Sequence, residues 1–102
     1  MLFGVFATHS PESCPLNDKC SKKMLLQVKP KIESNKKKYN INKITAFYIS
    51  ALEHLWIMIL DAKSAHDIEQ FCIEIGISTI STIKIVPISE LDVLLKKLQS
   101  KK

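Results

Sequence analysis

The sequence predicts an α+β domain of order β-α-β-β-α-β with one more helix at the C-terminus, and three observations carry that prediction. Four short runs rich in β-branched and aromatic residues fall at 2–8, 43–50, 53–61 and 79–86. Three other stretches, Cys20 to about Tyr39, Ser64 to Gly76 and the residues after Ser89, repeat apolar side chains at helical spacing. Proline, glycine and small polar residues punctuate these runs at His9-Ser10-Pro11, Gly76 and Pro87. At 102 residues, 46% of them hydrophobic, the chain has enough apolar surface to bury a core without disulfides or a structural metal, which excludes a disordered polymer.

Leu2-Phe-Gly-Val-Phe-Ala-Thr8 reads as the first strand, and the residues up to Lys19 form a long loop carrying Pro11, Cys14, Pro15, Asn17 and Asp18. Met24, Leu25, Val28 and Ile32 trace one face of the first helix; Pro30 inside it predicts a kink or break, and Lys36-Lys37-Lys38 suits its carbonyl end. Runs 43–50 and 53–61 are separated only by Ala51 and Leu52, so they are expected to pair as a tight hairpin. Ser64 followed by Asp67 marks the start of the second helix; Ala65, Ile68, Phe71, Cys72 and Ile75 share its face, and Gly76 occupies the terminating position. Thr79 to Val86 reads as the fourth strand. Ser89 is the expected cap of a last helix with Leu91, Leu94, Leu95 and Leu98 on one side, Ile88 and Val93 standing at staple positions. The domain is expected to span 1–99, with 100–102 as a frayed tail.

This order is the split-βαβ, ferredoxin-like arrangement, a four-stranded antiparallel sheet with its helices on one face. In the third strand, Leu55, Ile57 and Ile59 alternate with His54, Trp56, Met58 and Leu60, so both sides read as buried. The expectation is an open sheet face bearing Trp56 and Met58, covered by the last helix or by a second copy. With that element order the chain resembles the dimeric α+β barrel superfamily, and especially its small single-domain members. The segment His9-Ser10-Pro11-Glu12-Ser13-Cys14-Pro15 looks like a signature following the first strand. The resemblance implies pairing through the sheets around a cavity. Superfamily members include cofactor-independent monooxygenases, muconolactone isomerase-like enzymes, haem-degrading enzymes and ligand-sensing domains, so it implies a cavity more than one reaction.

The 15 basic and 10 acidic residues leave a net charge of +5, and every basic residue is Lys. Without arginine, nothing can grip a phosphate with a bidentate fork, which argues against an acylphosphatase-like activity. RNA-binding domains of this topology read bases with aromatics in a basic, glycine-containing motif; Leu55-Trp-Ile-Met-Ile-Leu60 is too apolar for that, and no nucleic-acid partner is expected. The longest plainly apolar run is that same six-residue stretch, far short of the roughly 20 residues of a spanning helix, so no membrane partner is expected. Three cysteines without CxxC spacing and an N-terminus without a charged leader predict a reduced, cytoplasmic protein.

The chemistry-bearing residues converge by topology. The third strand runs antiparallel beside the first, so Thr8 and His9 lie near Glu53 and His54, and the loop holding Cys14 starts at that same edge. His9, Cys14 and His54 therefore form a candidate transition-metal set for zinc, nickel or copper. The same place reads alternatively as a small-molecule cavity lined by His9, Tyr48, His54 and Trp56, in which His54, with Tyr48, does acid–base work as in a cofactor-independent isomerase or monooxygenase. A third reading makes these ordinary polar groups of a structural module that assembles through its sheet. A homodimer or higher homo-oligomer is expected, and the sequence names no cofactor. His66 is expected in solvent, Cys72 as a buried apolar thiol, and Cys14 and Cys20 as a pair with possible redox chemistry.

Overall fold

The computed structural model describes residues 1–99; the expected tail at 100–102 lies outside the described residues. Seven main elements follow in the order β1 (Leu2–Thr8), α1 (Lys19–Asn35), β2 (Ile41–Ser50), β3 (Leu55–Ala62), α2 (Ala65–Ile75), β4 (Thr82–Pro87) and α3 (Leu91–Gln99). The sheet order is β2-β3-β1-β4, antiparallel throughout, which is the ferredoxin-like arrangement with an extra C-terminal helix.

Strand alternation builds the core. On β1, Phe3, Val5 and Ala7 stand opposite Leu60, Met58 and Trp56 of β3, and all six are buried. They pack with Val28 and Ile32 of α1 and with Ile68, Phe71, Cys72 and Ile75 of α2. Burying each large apolar side chain contributes roughly 1.5–3 kcal/mol, so this layer dominates the stability of the fold.

Local chemistry sets the helix ends. Asp18 accepts the Ser21 amide at 2.8 Å and starts α1. Of the expected kink or break at Pro30 the break is absent: that helix runs unbroken, since Pro30 is exposed and the buried face around it, Val28 and Ile32, holds the backbone helical. It ends at Asn35 rather than near Tyr39: Ile41 donates back to the Lys36 carbonyl at 2.9 Å, and Asn40 at φ +58° turns the chain into β2. Ser64 accepts the Asp67 amide at 3.2 Å, and Gly76 at φ +95° closes α2.

Four further expectations need correction. The β2–β3 hairpin has a four-residue loop, Ala51 to His54, with Ser50 paired to Leu55. None of its residues is Gly or Asn, so the two left-handed positions of a tight two-residue turn are not provided; the longer loop uses one, at His54 with φ +52°. Second, β4 starts at Thr82, because Ile77–Thr79 form a short 3-10 turn tied by the Thr79 hydroxyl donating to the Gly76 carbonyl at 2.6 Å. Third, Trp56 and Met58 face the helices; the open face of the sheet carries Leu55, Ile57 and Ile59 instead, with Phe6 opposite Ile57. The spacing correctly separates the two sides of β3 but does not say which one the helices cover. Fourth, α3 begins at Leu91, the Glu90 carbonyl accepting from Val93 and Leu94, so Ser89 lies outside it. Every residue of α3 is exposed, its leucines included, and the helix leaves the sheet uncovered.

Candidate metal centre

The β1–β3 ladder ends at Thr8 and Leu55, and one further backbone bond, from the His9 amide to the His54 carbonyl at 3.1 Å, carries the pairing into the hairpin loop. By alternation His9 follows Ala7 onto the helix side, where its ring meets that of Trp56 edge-on at 5.6 Å between centroids. His54 is not a strand residue, as the spacing suggests, but the last residue of the loop, and its left-handed backbone brings its ring to 5.4 Å from that of His9, tilted by 74°. Strain of this kind in a non-glycine residue persists where the surroundings impose it, and it concentrates at functional sites.

The third member arrives by the loop after β1. Ser10 accepts from the Ser13 amide at 3.3 Å, the Cys14 amide donates to the Pro11 carbonyl at 3.2 Å, and both Asn17 and Asp18 donate to the Cys14 carbonyl at 2.8 Å. These bonds fold residues 10–18 into two consecutive turns that bury Cys14 at 3% exposure. One ligand atom each from His9, Cys14 and His54 then lies within 4.8 Å of the others. Both ring nitrogens of His9 and Nδ1 of His54 are buried without a hydrogen-bond partner, although the two residues as wholes are only half-buried. Buried polar atoms are nearly always paired, so three orphaned imidazole nitrogens beside one thiol call for a physical explanation. Burial, and next the neighbouring His54, hold the His9 pKa below its ordinary value, so His9 favours the neutral form that binds metal or accepts a proton.

The other proposed residues separate. Trp56 is 1% exposed and belongs to the core, edging His9 and tilted against Phe47 at 6.4 Å. Tyr48 is 68% exposed and pairs with Ile57, which places it on the open face of the sheet, opposite the helix side where Trp56 and His9 meet. Register shifts within β2, between Ile41 and Lys43 and between Ile44 and Ala46, set this facing, and nothing in the local sequence announces them. Cys20 is exposed, Cys72 is buried with its thiol pushed up to about 12 by burial, and neither joins the cluster. His66 is exposed on α2. A groove of about 510 Å³ between α1 and β2, walled by Leu25, Val28, Ile32, Ile44, Phe47 and Ile49, was not foreseeable from the sequence because the same register shifts bring Ile44, Phe47 and Ile49 to one side.

No protein-family model matches the chain, and no curated protein matches it. Among solved structures, that of Rv0793 from Mycobacterium tuberculosis is similar over 89% of this chain and 99% of its own, with a TM-score of 0.50 at 10% sequence identity. At that identity the likeness is one of fold: a small α+β protein with a four-stranded antiparallel sheet.

Proposed function

We propose that this protein holds a transition-metal ion through His9, Cys14 and His54, on a ferredoxin-like domain spanning residues 1–99 that pairs with a second copy through its open sheet face, as members of the dimeric α+β barrel superfamily do. The observation that carries the site is the convergence of buried, unpartnered imidazole nitrogens of His9 and His54 with the Cys14 thiol, one ligand atom from each residue lying within 4.8 Å of the others. Two imidazoles and a thiolate suit zinc, copper and nickel and leave out calcium and magnesium, which take oxygen ligands. Bonds of about 2.0–2.3 Å to a shared ion would draw ligand atoms to about 3.5 Å apart, a contraction of at most roughly 1 Å. The pairing rests on the aliphatic open face, and a reducing compartment such as the cytoplasm keeps Cys14 available as a thiol.

A second reading has one observation in its favour: the depressed pKa of His9 suits a general base acting on a small molecule bound beside the two rings. The two readings part on metal content. Native mass spectrometry of untagged protein, with elemental analysis of the same sample, is expected to give a dimer carrying one zinc, copper or nickel ion per chain. His54→Asn keeps a side chain that tolerates φ +52° and removes the ligand, so it is expected to lose the ion and remain folded. Metal-free wild-type protein that takes up no added metal would sink the metal centre and favour the base.

A further inference from the structure

We propose that the ion this site selects is monovalent copper, held three-coordinate by His9, Cys14 and His54, an inference that rests on the metal-centre reading above. Charge favours a monovalent ion. One thiolate and two neutral imidazoles carry −1 together, so a monovalent ion makes a neutral complex, whereas a divalent ion leaves +1 in a site walled by Trp56. No carboxylate oxygen joins the cluster among the described residues, so the protein supplies no second negative charge to offset a divalent ion.

Coordination number favours it as well. A divalent zinc ion seeks a fourth ligand, and with three from the protein that ligand is water or hydroxide. Here both ring nitrogens of His9 and Nδ1 of His54 are buried and meet no hydrogen-bond partner, and Cys14 is 3% exposed, so the protein shields much of the site from water. A thiolate also selects the softer ion, and copper in the +1 state asks for no further oxygen ligand. Binding is a simple exchange with no redox step, in which the Cys14 S–H bond breaks, the sulfur keeps the electron pair to form the Cu–S bond, and the proton goes to solvent.

The test is an anaerobic competition titration of the reduced protein, cuprous ion against a chromophoric cuprous chelator and zinc ion against a zinc indicator. One cuprous ion per chain, bound at least about a hundredfold more tightly than zinc, is expected, with an X-ray absorption spectrum at the copper edge showing three ligands of which one is sulfur. Cys14→Ser is expected to weaken cuprous binding at least about a hundredfold, and Cys20→Ser to leave it unchanged. Should Cys14→Ser fail to fold, His54→Asn with the same titration replaces it. Zinc binding as tight as cuprous binding would overturn the choice of copper and leave the metal centre standing. Failure of both ions to bind, or binding indifferent to Cys14 and His54, would overturn the centre itself.

Discussion

His9 stands one residue beyond the paired end of β1, and its position shows how a single side chain links the fold to the site. The backbone bond from its amide to the His54 carbonyl belongs to the sheet, while its ring belongs to the cluster. Because the folded protein depresses its pKa, the unfolded chain takes up a proton near the ordinary value of about 6.5 that the native protein refuses. The stability associated with this group is therefore complete above pH 6.5 and declines as the pH falls below it. Thermal melts of metal-free protein should show a lower Tm at pH 5.5 than at pH 7.5, and His9→Gln should shrink that difference; equal sensitivity in the variant would place the effect elsewhere. The meeting of His9 and His54 was legible in the sequence, since antiparallel neighbours bring those chain positions together. The burial of Cys14 was not, because it depends on turns formed by the Ser10, Pro11 and Cys14 backbone.

At the scale of elements, α2 was the most legible, because its signals are local. Ser64, Asp67 and Gly76 mark its ends within one chain segment, and its buried residues follow one stripe. Gly76 occupies φ +95°, and a Cβ added there would meet Met24 Cγ at 3.0 Å. Gly76→Ala is therefore expected to cost about 1–2 kcal/mol, read as a lower midpoint in urea unfolding with the slope unchanged. A midpoint within error of wild type would mean that the turn after α2 relaxes freely. The hairpin was less legible than α2 because loop length depends on which residue accepts the left-handed conformation, and His54 is not a residue that pattern alone would choose. The unbroken course of α1 past Pro30 has the same cause, a tertiary contact prevailing over a local preference, here through Val28 and Ile32.

For the whole molecule the chief feature is the unshared apolar surface. Leu55, Ile57 and Ile59 of β3 and Phe6 of β1 lie on the side of the sheet that the helices do not cover, and Leu91, Leu94, Leu95 and Leu98 of α3 are 42–67% exposed. Among the described residues, no helix is long and apolar enough to cross a membrane. The proposed pairing of sheets would remove the first of these surfaces from water. Ile57→Lys places a charge on that face without touching the core side, where Trp56 and Met58 point. On the proposed pairing, sedimentation velocity is expected to show a dimer for the wild type and a monomer for this variant, with secondary structure retained; an Ile57→Lys dimer would mean that the chains meet elsewhere.

The sequence by itself determined the element order, the cap and stop signal of α2, the two-sidedness of β3 and the approach of His9 to His54, because each depends on spacing, on local hydrogen bonding or on a topology with few alternatives. Only the tertiary structure decided which side of β3 lies beneath the helices, that Tyr48 faces away from the cluster, that Cys14 is buried beside it, and that α3 stays off the sheet. The physical reason is that facing and burial are settled between segments. A one-residue register shift in β2 or a turn in the loop after β1 moves a side chain from one surface to another while leaving every local pattern unchanged.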